Sequence, residues 1–96
     1  MAHFYHIYIV VKPGVQFEPV KKTMDLALDW FRCDSRNWII YTTSDSKKWY
    51  SRLKQYIEPG GHLFICKLDT NDYWGLMSKK LWEWLKKPRQ TSIPLK

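Results

Sequence analysis

Residues 29–57, DWFRCDSRNWIIYTTSDSKKWYSRLKQYI, decide the fold of this chain. Trp30, Phe31 and Cys33 favour a strand, and Asp34-Ser35-Arg36-Asn37 is turn material. Trp38-Ile39-Ile40-Tyr41-Thr42-Thr43 is a run of aromatic and β-branched side chains suited to a pleated, buried surface. Two strands joined by so short a connection must pair antiparallel. The hairpin feeds directly into an amphipathic helix, for which Thr43-Ser44-Asp45-Ser46 supplies N-cap candidates. Trp49, Tyr50, Leu53, Tyr56 and Ile57 recur on one side of that helix, and Lys47, Lys48, Arg52 and Lys54 fill the remaining arc. A hairpin alone is marginal in water, so the flanking sequence must supply more strands and a covering layer.

Upstream, His3 to Val11, HFYHIYIVV, is apolar or aromatic on both faces, the pattern of a central strand covered on both sides. Lys12-Pro13-Gly14 stops it. From Phe17 the period becomes helical, with Phe17, Val20, Met24, Ala27 and Leu28 on one side and Pro19 in the first turn. Downstream, Pro59-Gly60-Gly61 ends the second helix, and His62 to Leu68, HLFICKL, reads as a fourth strand close to full burial. Trp74, Met77, Leu81, Trp84 and Leu85 then suggest another helical face, broken near Gly75 and Ser78, with Lys79, Lys80, Lys86 and Lys87 opposite and Pro88 closing it. The expected fold is α+β: a ferredoxin-like βαββαβ order with a four-stranded antiparallel sheet, two helices on one face, and a C-terminal helix. Residues 1–88 should form one domain, and 89–96 a loosely ordered basic tail.

Hydrophobic residues make up 45% of the 96, and six Trp and six Tyr are ample for a single core, which excludes a disordered body. The formal charge is +7, and its excess lies wholly beyond residue 45, where eleven basic side chains face four acidic ones. Such a one-sided field attracts polyanions: nucleic acid, an anionic membrane or an acidic protein. Cys33 and Cys66 sit among apolar neighbours in predicted strands, and we expect buried reduced thiols in a cytoplasmic protein. The chain shows no charged-then-apolar leader and no apolar run near the roughly 20 residues of a spanning helix, so stable membrane insertion is not expected.

The strand HIYIVV, the hairpin WFRCDSRNWIIYTTSDS leading into a helix, the strand HLFICKL and the C-terminal WGLMSKKLWEWLKK give the chain a resemblance, over residues 3–87, to small ferredoxin-like proteins related to the endonuclease subunit of CRISPR adaptation. It is most similar to the relatives that lack the activity. The resemblance implies a homodimer with sheets packed together and, in active members, a metal-dependent phosphodiesterase using an Asp at the end of the first strand. That position falls here at Val11 or Lys12, neither of which ligates a divalent cation, and the nearest acid along the chain is Glu18. The resemblance therefore implies a member without the nuclease chemistry.

The strongest functional signal from the residues themselves is the basic set Lys47, Lys48, Arg52, Lys54, Lys79, Lys80, Lys86, Lys87 and Arg89. Side chains of this kind contact phosphates, and Tyr50, Tyr56 or Trp82 at the margin could stack on unpaired bases. A solvated helix face that keeps the domain soluble accounts for the same lysines. His3 and His6 point to opposite faces of a strand and cannot share a metal, so no metal site and no cofactor are expected. His62, beside Gly60-Gly61, is the one candidate general acid or base. Asp69, Thr70, Asn71 and Asp72 read as helix-capping material, and LWEWL as core or dimer contact. The expected function is a non-enzymatic nucleic-acid-associated or partner-binding homodimer, possible partners being DNA, RNA or an acidic protein. The alternatives are an endoribonuclease or metal-dependent nuclease, and an adaptor for an acidic protein.

Overall fold

The two-sided apolar pattern of HFYHIYIV builds the central strand, β1 (His3–Val10), which buries Tyr5, Ile7 and Ile9 on one face and half-buries Phe4, His6 and Tyr8 on the other. The computed structural model describes residues 1–89. After β1 come α1 (Phe17–Met24), β2 (Asp29–Arg32), β3 (Asn37–Thr42) and α2 (Ser46–Leu53), with a 3₁₀ turn at Lys54–Tyr56. They are followed by β4 (His62–Leu68) and α3 (Lys79–Lys86). The sheet is open and antiparallel throughout, in the order β2-β3-β1-β4. Register fixes the faces: Tyr5 lies opposite Ile40 of β3 and Lys67 of β4, and His6 lies opposite Ile39 and Cys66.

Helices α1 and α2 cover the first face. Val20 and Met24 from α1, Trp49 and Leu53 from α2, and Ile57 pack against Tyr5, Ile7, Ile9, Trp38 and Ile40. Burial of each large apolar side chain there contributes about 1.5–3 kcal/mol. The buried Trp49 indole keeps its hydrogen bond by donating to Thr42 Oγ1 at 3.1 Å. Asp45 caps α2, accepting from the Lys48 N–H at 2.9 Å. In the β2–β3 turn the Asp34 carboxylate accepts from the backbone N–H groups of Arg36 and Asn37 at 2.8 and 2.9 Å. The Arg36 N–H bond is the chief cause that holds this carboxyl below its ordinary pKa. Gly61 is required at the start of β4, because a β-carbon there would collide with the Val10 carbonyl.

Several expectations are corrected. Strand β4 has a single neighbour, so it is an edge strand rather than a nearly buried one, and His62, Phe64 and Cys66 stand exposed on one face. Cys66 is therefore an exposed free thiol, and Cys33, just past β2, is half-buried and also free. Leu28 lies beyond the end of α1 and is exposed, as is Tyr50 on the outer side of α2. Helix α3 begins only at Lys79, where the Ser78 hydroxyl accepts from the Leu81 N–H at 3.3 Å. Trp74 and Met77 thus fall outside it and are exposed, while Leu81 is buried. Trp84 packs edge-on to Phe4 and tilted against Phe31, with centroids 5.7 and 5.8 Å apart, so α3 lies on the face of the sheet opposite α1 and α2. Arg89 is docked rather than loosely ordered; residues 90–96 of the expected tail lie outside the described residues. Among the described residues no helix is long and apolar enough to cross a membrane.

Candidate functional site

Alternation along the strands sends Phe4, His6 and Tyr8 of β1, Ile39 and Tyr41 of β3, Phe31 of β2 and Phe64 and Cys66 of β4 to the second face of the sheet. Helix α3 covers only the β2–β3 side of that face. Its end is held by Arg89, whose guanidinium lies over Trp84, Phe4 and Tyr41 at 4.4, 5.1 and 5.2 Å. The same side chain donates to the Trp84 carbonyl at 2.7 Å, the Lys87 carbonyl at 3.0 Å and Asp29 at 3.3 Å. Lys87 also reaches Asp29, at 3.2 Å. Burial works to raise the Asp29 carboxyl, but its hydrogen bonds, that of the Lys87 ammonium first among them, outweigh it and leave its pKa lowered.

On the β4 side the face stays open. A groove of about 610 Å³ runs between the sheet, α3 and the segment 69–77, with His6, Ile39, Leu68, Trp74 and Leu81 among its walls. The segment carries Tyr73, Trp74, Leu76 and Met77, and Phe64 of β4 adds to them; Trp74 and Leu76 are fully exposed. Tyr73 stacks on Trp82 at 5.8 Å. Large apolar side chains thus stand exposed both on the edge strand and in the segment that follows it, a feature that marks interaction surfaces.

The basic residues do not form one stripe. Lys47, Lys48 and Lys54 belong to the α1–α2 side and Lys79, Lys80 and Lys86 to the α3 side, with the sheet between them. Lys54 lies 4.0 Å from Glu58. Arg52 is half-buried with its guanidinium over Trp49 at 4.7 Å, and its Nη1 is buried without a hydrogen bond. Lys87 and Arg89 are engaged by Asp29, and Arg89 is only 8% exposed, so neither is a free phosphate contact. Among the aromatics expected to stack, the Tyr56 hydroxyl is hydrogen-bonded to Thr23 at 2.8 Å and to the Pro19 carbonyl at 3.1 Å, and Trp82 is covered by Tyr73. Tyr50 alone of the three stands open.

His62 sits exposed at the start of β4, opposite Val10, and its imidazole makes no hydrogen bond to the described residues. His6 Nε2 lies 2.9 Å from Asn37 Oδ1, in the groove that Cys33 also lines. Burial pushes the Cys33 thiol up, Asp34 adds to the shift, and no hydrogen bond joins the thiol to His6, so the trio lacks an activated nucleophile. Among the described residues no group of three or more His, Cys, Asp or Glu is placed to hold a metal ion. Asp69 accepts from the Asn71 N–H at 2.8 Å and closes a turn after β4; it does not cap α3, which Ser78 does. At the tip of β1, Lys12 donates to the Glu58 carbonyl at 3.1 Å.

Sequence reasoning placed the site on the lysines and missed the open edge of β4. The available signal was the stretch from Asp69 to Ser78: four large apolar residues interrupted by Gly75 and set between turn material and the Ser78 cap, where a helix is least able to form. Fold and site together define a small α+β domain whose open antiparallel sheet leaves the β4 edge and part of one face available for contact. No protein-family model matches the chain, and comparisons with curated proteins and with solved structures found no match. None of them links it to the proteins of CRISPR adaptation.

Proposed function

We propose that this protein is a non-catalytic, ferredoxin-like binding domain that works as a homodimer joined along β4, and that the dimer associates with nucleic acid. The observation that carries the reading is the coincidence of an unpaired seven-residue edge with the exposed Phe64, Tyr73, Trp74, Leu76 and Met77. An edge strand whose only full charge is Lys67 is a template for pairing. Antiparallel pairing of β4 with its copy about Ile65 sets Phe64 beside the partner's Cys66 on the same face, at the roughly 5 Å spacing of cross-strand neighbours. Because α2 packs against β4, the same two-fold arrangement brings two α2 helices side by side on one face and doubles Lys47, Lys48 and Lys54 into one basic surface.

The βαββαβ order with β1 between β3 and β4 supports the ferredoxin-like reading, and with it the likeness to catalytically silent relatives of the CRISPR-adaptation endonuclease subunit. Val10, Val11 and Lys12 at the end of β1, with no carboxylate among them, support the non-catalytic part. The test joins particle size to binding. The protein should sediment as a dimer, bind single- or double-stranded DNA or RNA with an affinity that falls steeply as salt rises, and leave labelled RNA intact with magnesium, manganese or chelator. A monomer that binds no nucleic acid at low salt refutes the proposal. RNA cleavage lost in His62→Ala replaces it with a nuclease.

A further inference from the structure

A second cleft, of about 320 Å³, opens on the other face of the sheet between the start of α1 and the β2–β3 turn. Its floor is apolar, from Ile9, Val15 and Val20, and two arginines line it, Arg32 and Arg36. Arg32 lies across Phe17 and Trp38, with its guanidinium carbon 4.5 and 5.3 Å from the ring centroids, and those rings are themselves near-parallel at 6.1 Å. Stacking fixes the plane of the guanidinium and leaves its N–H edge for a ligand. Its one hydrogen bond is long, 3.4 Å to the Ser35 carbonyl. Neither arginine has an ion-pair partner among the described residues: Asp34, the nearest acid in the turn, is taken up by the N–H groups of Arg36 and Asn37 and by the Asn37 amide. Gln16 also lines the cleft as the N-cap of α1 and makes no side-chain cap bond. Glu18, in the first turn of α1, is the charge that works against an anion there.

We propose that this cleft binds a phosphate monoester carried on a planar, apolar-faced group, the chemistry shared by a mononucleotide and by the phosphorylated end of a nucleic-acid strand. Two unpaired guanidinium groups supply the fork geometry that a terminal phosphate accepts. The exposed ring of Phe17, backed by the buried Trp38, and the aliphatic floor take a base or sugar, and the volume is at the small end for a ligand site. The cleft is formed within one protomer and uses none of the helix lysines, so it stands apart from the homodimer and its basic surface.

Calorimetric titration tests it with four probes: inorganic phosphate, adenosine monophosphate, and a dinucleotide with a 5′-phosphate or a 5′-hydroxyl. The 5′-phosphorylated dinucleotide should bind about tenfold or more tighter than its hydroxyl counterpart. Arg32→Gln and Arg36→Gln should each lose about tenfold, and Arg32→Lys, which keeps the charge but not the fork or the stacking, should lose nearly as much. Binding of adenosine monophosphate as tight as that of the dinucleotide assigns the site to mononucleotides, and preference for the dinucleotide assigns it to strand ends. Equal affinity for the two dinucleotides, or unchanged affinity in the Arg32→Gln/Arg36→Gln double variant, overturns the proposal. Arg36 is exposed in the turn, so Arg36→Gln keeps the test intact should Arg32→Gln fail to fold. Lys47→Gln/Lys48→Gln should weaken binding of long nucleic acid and leave the dinucleotide affinity unchanged, which separates failure of this site from failure of the proposed function.

Discussion

Replacing Arg89 by alanine should destabilise the domain by about 2–4 kcal/mol, with hydrogen bonds to charged groups contributing most of it. The side chain is 8% exposed and joins the end of α3 to the sheet through the Trp84 carbonyl at 2.7 Å, the Lys87 carbonyl at 3.0 Å and Asp29 at 3.3 Å. Charged hydrogen bonds of this kind are worth about 1.5–3 kcal/mol, and the contacts with Phe4, Tyr41 and Trp84 add about 0.5–2 kcal/mol. The ion pair with the partly exposed Asp29 adds under about 1 kcal/mol. These terms overlap, and the truncated variant also bares the aromatic face beneath α3. For a domain of this size each kcal/mol lowers the midpoint by about 4–8 °C, so a fall of roughly 10–20 °C is expected in thermal unfolding followed by circular dichroism. Arg89→Lys should recover part of the loss, because an ammonium keeps the charge without the planar fork. Melting of Arg89→Ala within a couple of degrees of the parent refutes the latch and returns Arg89 to the pool of free surface cations.

Four further outcomes follow from the same geometry. Trp49→Phe keeps most of the ring but deletes the indole bond to Thr42, and chemical denaturation should register a loss of about 1–3 kcal/mol. Gly61→Ala drives a β-carbon into the Val10 and Ile57 carbonyls and should destabilise by about 1–3 kcal/mol or abolish soluble protein, as thermal unfolding and soluble yield will show. The Asp29 carboxyl, with burial overruled by its hydrogen bonds, that of Lys87 first among them, has a folded pKa below the ordinary 3.8; its contribution is present above that value and disappears as pH falls through the folded one, so Asp29→Asn should flatten the acid limb of a stability–pH curve. Lys47→Gln/Lys48→Gln/Lys54→Gln should reduce the salt dependence of nucleic-acid binding by about one unit of slope per lysine that contacts phosphate, measured as affinity against ionic strength.

The hairpin and its helix were legible because their signals agree at every level: turn residues at 34–37, aromatic and β-branched residues at 38–42, and a helical period with Trp49 and Leu53 inward. The central place of the first strand followed from its two-sided pattern. HLFICKL misled for a physical reason. Apolar side chains on both faces indicate burial only if something covers both, and nothing local to the strand reveals that α3 stops short of it or that no strand lies beyond it. The helical spacing of Trp74, Met77 and Leu81 was cut by Gly75 and by the capping hydroxyl of Ser78, so the first two became exposed instead of buried. Charge was visible in the sequence but its geometry was not: the lysines of α2 and α3 are separated by the thickness of the sheet, and Arg89 is turned inward by three rings. The Arg32–Arg36 cleft could not be read in advance, since it depends on Phe17, from another element, meeting Trp38 across the chain.

Amide hydrogen exchange along β4 tests the homodimer most directly. In an isolated protomer every second amide of His62–Leu68 points away from β1 and should exchange at rates close to those of unstructured peptide. Pairing with a second copy should protect that outward set as strongly as the amides bonded to β1, with protection falling on dilution and in a Phe64→Asp variant. An outward set that exchanges freely at every protein concentration would contradict the account.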